Sequence, residues 1–219
     1  VDAYRPDWKV WLTFSADRVH SMETDALAAT RPIEFPVASP EEANAMFDSL
    51  TYEKGASVLR MLEQYLGEDA FRLGVSNYLK ANAYGNTDSD DLWSALADAS
   101  GEPVKEIMDT WIFQGGFPQV TVEGGPGDYR LTQQQFRYLG EGDRQWKLPV
   151  VVRSSEGEQR LLLAGESASV AAGDDLVVPA DHIETRRLDI DATPEQVWPW
   201  LAQLGYGRGG WYSYPMLDR

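Results

Sequence analysis

Apolar and polar positions alternate with two different periods along this chain, helical in the first half and strand-like in the second. Residues 4–21 place Tyr4, Trp8, Trp11, Leu12, Phe14 and Val19 at mixed steps of three and four, which predicts an aromatic-rich helix. Residues 24–40 hold Pro32, Pro36 and Pro40 with no sustained period, which predicts an extended connector. Ser39-Pro40-Glu41-Glu42 then has the form of a helix start, Ser at the N-cap and Pro at the first helical position, and a short helix should run to Phe47. In residues 48–66 the positions Tyr52, Gly55, Ala56, Leu59, Leu62 and Leu66 form one helical face, with Glu53, Lys54, Arg60 and Gln64 opposite. Asp48, Ser49 and Thr51 compete for the N-cap of this helix, and Gly67 suits its C-cap.

Three more helices follow on the same grounds. Residues 69–83 direct Phe71, Val75, Tyr78 and Leu79 inward, and a helix from Asp88, capped with the help of Asp91, buries Leu92, Trp93 and Leu96 before ending near Ser100. Pro103 opens a helix carrying Ile107, Met108, Trp111 and Ile112, which Gly115-Gly116 stops. Beyond Phe117 the pattern alternates, predicting five short strands at 119–123, 128–136, 146–153, 159–163 and 176–178, with Gly-rich turns between them. Short strands with such turns argue a β-sandwich or meander packed on the helical part, an α+β arrangement.

Composition narrows the partners. The 35 Asp and Glu against 19 Lys and Arg, in 219 residues, disfavour a nucleic-acid or anionic-membrane surface, since either partner requires local positive potential. No apolar run approaches the length of a membrane span, and no signal-peptide pattern is visible. The absence of Cys removes disulfides and thiolate metal ligands but leaves the compartment open, with cytoplasmic as the default expectation. The chain opens on Val1 rather than Met, so upstream residues are expected to have been removed.

Tyr52 is the candidate for chemistry. A phenol stays protonated at neutral pH, and one fixed at a helix start can donate a hydrogen bond to an oxyanion; periodicity alone favours the other reading, an amphipathic core tyrosine. The order of residues bears on this choice. Phe47-Asp48-x-x-x-Tyr52-x-Lys54-Gly55-Ala56-x-Val58-Leu59-Arg60-Met61-Leu62 closely resembles the segment that follows the zinc site in the gluzincin aminopeptidases, the family of alanyl aminopeptidase and leukotriene hydrolase. The resemblance continues through Asn86-Thr-x-x-x-Asp91-Leu92-Trp93 and Met108-Asp-Thr-Trp111-Ile-x-Gln114-x-Gly116-Phe-Pro118, and covers roughly residues 1–180. It implies the helical C-terminal lobe of a thermolysin-like catalytic domain at 1–116 and a β domain at 117–182. It also implies a peptide substrate for the intact parent, and for Tyr52 the role of stabilising the tetrahedral intermediate.

The same resemblance implies zinc in the parent, with its ligands and general-base Glu preceding Val1. Within this chain only His20 and His182 occur, with no His-Glu-x-x-His, so no metal ligand is assigned and the fragment alone is expected to be inactive. Other chemistry is set aside on residue grounds. Asn86 to Ala97 lacks the Gly and the bidentate Glu of a calcium loop. Ser57 sits inside a helix with no base nearby in sequence, and the acid pairs Glu41 with Glu42 and Asp90 with Asp91 read as helix-start charges.

The segment 183–219 departs from the family. Its strand at 185–191, the helix-like Pro194 to Leu204 and the aromatic Gly-rich Gly205 to Tyr214 resemble the opening of a START-like, polyketide-cyclase-type domain. Its Gly205-x-Gly207-x-x-Gly210 follows a helix instead of a strand and is not a dinucleotide fingerprint. Two other functions stay open at this level: a noncatalytic helical and β interaction module, and apolar-ligand binding by the START-like part, where Trp198, Trp200, Trp211, Tyr212 and Tyr214 would line a cavity or fill a core.

Overall fold

A computed structural model of the chain describes residues 2, 4–154 and 157–172. The expected strand at 176–178, His182 and the whole START-like segment 183–219 lie outside the described residues. Among the described residues six α-helices precede five strands: α1 (Val10–Asp25), α2 (Pro40–Ala45), α3 (Gly55–Leu66), α4 (Glu68–Ala81), α5 (Ser89–Ser100), α6 (Val104–Ile112), β1 (Pro118–Gly125), β2 (Asp128–Gln135), β3 (Leu148–Ser154), β4 (Gly157–Leu163) and β5 (Ser167–Val170). The result is a mixed α+β architecture.

The helix ends follow from local chemistry. Ser39 Oγ accepts from the Glu42 amide at 3.2 Å and starts α2. Asp88 and Asp91 exchange side-chain-to-backbone hydrogen bonds at the start of α5, a reciprocal capping box that satisfies two orphan amides. Gly101 closes α5 in the left-handed conformation, which costs glycine no Cβ clash. Gly67 (φ 85°, ψ 153°) does more than the expected cap: it ends α3 and starts α4 with no intervening loop.

The three-stranded sheet has the order β1-β2-β5, all antiparallel, with Thr121 opposite Thr132 and Leu131 opposite Ala168. β3 and β4 form a separate antiparallel hairpin with Val150 opposite Leu161. Strand β5 is additional to the expected strands, because Ser167-Ala-Ser-Val170 is too short and polar to show a period. One continuous apolar cluster joins the two halves: Val58, Leu62 and Tyr65 of α3, Trp93 and Leu96 of α5, and Ile107, Met108 and Trp111 of α6 meet Leu131, Trp146, Leu148 and Leu163. Gln133 ties β2 to the hairpin, its side-chain amide donating to the carbonyls of Trp146 (2.8 Å) and Gly165 (2.7 Å) and accepting from the Trp146 amide (3.0 Å).

Four expectations are corrected. Residues 48–66 are not one regular helix: Leu50–Lys54 forms a π-helical turn that leads into α3, and such turns are rare and concentrate at functional sites. The inward stripe is Lys54, Val58, Leu62, Tyr65 and Leu66, at ordinary helical spacing, and Tyr52 faces outward, 55% exposed. Lys54, expected on the solvated face, is buried instead. The first helix begins at Val10, after a 3-10 turn Pro6–Trp8 and a left-handed Lys9, with Trp8 and Leu12 exposed, and Leu79 of α4 likewise points to solvent.

Candidate functional site

Tyr52 occupies the middle of the π-helical turn, and that turn is fastened at both ends. At the entry, the Asp48 carboxylate accepts from the amides of Leu50 (3.0 Å) and Thr51 (3.1 Å), which settles the N-cap competition in favour of Asp48. The same oxygen accepts from the Arg31 guanidinium at 2.6 Å, and Arg31 donates also to Thr51 Oγ1 (2.9 Å) and to the Pro32 carbonyl (2.7 Å). The connector 24–40 is thereby strapped to the start of the turn.

At the exit, Lys54 Nζ lies 2.8 Å from Asp25 Oδ2, with side chains 6% and 2% exposed. Its remaining donors reach the carbonyls of Gly116 (3.0 Å) and Gln114 (3.4 Å). The other Asp25 oxygen accepts from the Gly116 amide (2.7 Å) and from the Thr30 hydroxyl. The last residue of α1, the π-helical turn and the loop between α6 and β1 are therefore joined at one buried charge pair. Burial pushes the Lys54 ammonium below the usual lysine range, and attraction to Asp25 opposes that shift. Gly115 and Gly116 permit the close approach: a Cβ on Gly115 would lie 2.8 Å from Thr30 Cγ2 and 3.0 Å from the Arg31 carbonyl oxygen, and Gly116 has φ 91°.

Between these fastenings the Tyr52 ring stands at the rim of a groove of about 400 Å³, lined by Ile33, Gly55, Leu59, Trp93, Met108 and Ile112 among others. Its neighbour Phe47 is also exposed, the two rings 6.2 Å apart between centroids. The Tyr52 hydroxyl makes no hydrogen bond to any described residue, while its backbone amide donates to the Asp48 carbonyl (3.1 Å). A phenol on an exposed residue of a turn fastened at both ends, beside an apolar concavity, is free to donate to a ligand that enters there. The core reading of Tyr52 does not describe this placement.

The other candidates resolve into structural roles or fall elsewhere. His20 is exposed on α1, 3.7 Å from Glu23. Ser57 donates to the Glu53 carbonyl (2.7 Å), and Glu41, Glu42, Asp90 and Asp91 all lie in first turns. Trp198, Trp200, Trp211, Tyr212 and Tyr214 are outside the described residues. Among the described residues no three His, Asp or Glu side chains come together in a way that could hold a metal ion, so these residues do not fit a zinc site.

Residues 1–111 match the model of the peptidase family M1 domain. The chain belongs to peptidase family M1. Among its relatives are Aminopeptidase 2 of Candida albicans, 50% identical over 140 residues, and Aminopeptidase 2, mitochondrial, of Saccharomyces cerevisiae, 45% identical over 142. Tricorn protease-interacting factor F2 of Thermoplasma acidophilum is 40% identical over 172 residues. These alignments cover 63%, 64% and 78% of this chain but only 15%, 15% and 22% of the respective relatives. The M1 match ends at Trp111, whereas the likeness to the Thermoplasma protein is too long to avoid either Tyr52 or the strands. Asp25, Arg31 and Lys54, which reading the residues alone does not assign to the site, all fall inside the M1 match.

Proposed function

We propose that this M1 chain is a segment of a zinc aminopeptidase that removes N-terminal residues from peptides, and that Tyr52 donates a hydrogen bond to the oxyanion formed when water adds to the scissile carbonyl. The observation that carries the reading is the Tyr52 hydroxyl itself, exposed and free of any described partner at the rim of an apolar groove, on a turn fastened at both ends. A donor that is already oriented needs no reorganisation when negative charge develops, which is why such groups contribute strongly in the transition state and weakly before it. The M1 match and the aminopeptidase relatives support the reaction class. The groove supports a peptide substrate, since its apolar walls suit a side chain while the phenol meets the backbone.

The zinc of the intact enzyme would be held by residues outside this chain, and the 219-residue chain by itself is inactive in this reading. The test is Tyr52→Phe in the intact enzyme. Turnover should fall about 10²-fold or more with KM little changed and zinc content unaltered. Unchanged turnover would reduce Tyr52 to a packing residue. Chelator-sensitive release of a chromogenic amine by the purified 219-residue chain would overturn the inactivity of the segment.

A further inference from the structure

We infer that the buried Lys54–Asp25 pair is a positioning device for Tyr52: it sets where the phenol stands and acts on turnover only through it. This inference rests on the proposed role of Tyr52 and extends it to two residues that touch no substrate. Lys54 is the last residue of the π-helical turn and Tyr52 lies two positions before it, so the turn's exit geometry is transmitted to the tyrosine over two residues of a regular, hydrogen-bonded backbone. Side chains two helical positions apart fall on opposite faces, so Lys54 turned inward leaves Tyr52 turned outward.

Three features separate this pair from an ordinary stabilising contact. The ammonium has three partners, Asp25 and two carbonyls, and both carboxylate oxygens are engaged, by Lys54 on one side and by Gly116 and Thr30 on the other. The partners come from elements far apart in sequence, α1 and the loop after α6, so the pair fixes the turn against the fold rather than against itself. The entry pair Arg31–Asp48 is more exposed, at 22% and 38%, and water competes there for the same donors, which leaves the exit pair as the stiffer of the two fastenings. A displacement on the scale of 1 Å at a catalytic donor can cost about 10²-fold in rate, so even a small relaxation of this anchor should be visible.

The experiment is a double-mutant cycle on the intact, zinc-loaded enzyme, crossing Tyr52→Phe with the charge-free pair Lys54→Met/Asp25→Asn. The Asn keeps the carboxylate's shape and can still accept from the Gly116 amide, and removing both charges together avoids stranding one of them. With Tyr52 present, the charge-free pair should lower kcat about 10- to 100-fold at nearly constant KM. In the Tyr52→Phe background, it should lower kcat by less than about 2-fold, because nothing is left to misplace. An equal loss in both backgrounds, or no loss in the first, overturns the inference while leaving the Tyr52 reading intact. If Tyr52→Phe alone leaves turnover unchanged, the Tyr52 reading fails first and takes the positioning role with it. Should the charge-free pair fail to fold, Asp25→Glu, which keeps both charges and lengthens the link by one methylene, takes its place in the same cycle with the same outcomes.

Discussion

Removing the Lys54 ammonium alone is the sharpest perturbation of stability that this structure offers. In Lys54→Met, the Asp25 carboxylate stays 2% exposed with only the Gly116 amide and the Thr30 hydroxyl to solvate it, and the carbonyls of Gly116 and Gln114 lose a donor. Breaking a buried ion pair by deleting one partner costs about 3–5 kcal/mol, chiefly because an uncompensated charge remains. Against a typical total of about 5–15 kcal/mol, that is a large fraction of the folding free energy. With a urea dependence of about 2 kcal/mol/M, the unfolding midpoint should move down by about 1.5–2.5 M. Tryptophan fluorescence is the natural probe, since Trp111 and Trp146 sit in the shared core with ring centroids 6.0 Å apart. Adding Asp25→Asn should restore most of the midpoint at neutral pH. A midpoint shift under about 0.5 M for Lys54→Met would mean that water reaches this pair and that it anchors nothing.

Three further outcomes follow from particular contacts. Burial, and then the hydrogen bond to Glu102 at 3.0 Å, push the Tyr65 phenol up from 10.0 to about 12, so its folded form keeps a proton that the unfolded chain releases. The stability this contributes is complete below pH 10 and is lost as pH rises toward 12, and Tyr65→Phe should show a shallower alkaline decline in unfolding midpoint than the unaltered protein. Gln133→Ala would orphan the carbonyls of Trp146 and Gly165 and the Trp146 amide, at about 2–4 kcal/mol, read as a lowered melting temperature. Gly74→Ala, which in an open helix would gain about 1 kcal/mol, should instead destabilise by about 1–2 kcal/mol, because the new Cβ would meet Leu96 Cδ2 at 2.8 Å and its Cα at 2.9 Å; a raised melting temperature would show that α4 and α5 can separate freely.

Much of the fold is legible in the sequence wherever a periodic signal coincides with a capping residue. Helices α2, α5 and α6 lie close to where Ser39-Pro40, Asp88-x-x-Asp91 and Pro103 place them, because short polar caps and a fixed proline φ act locally and need no tertiary partner. Strands β1 to β4 are similarly visible from alternation between glycine turns. What fails is register. The buried row starts at Lys54 and runs at ordinary helical spacing, so a stripe drawn through Tyr52 with Lys54 sent to solvent comes out rotated.

The same assignment explains why the site is only half legible. Tyr52 can be singled out by its motif, but the residues that hold it cannot, because Lys54 and Asp25 are charged and a charged residue is assigned to solvent unless its partner is known. A signal is nevertheless present: Lys54, Val58, Leu62 and Tyr65 follow steps of four, four and three, so a lysine heads an otherwise apolar row. A lysine on such a row must either snorkel out or meet a carboxylate inside, and at the start of a helix flanked by Gly55 and Ala56 there is little apolar bulk to snorkel past. The acid then has to come from another element, and in this fold the end of α1 supplies it. The charge that looks like surface decoration is thus buried two residues from an exposed phenol, and in the proposed reading it supplies the anchoring that a preorganised donor requires.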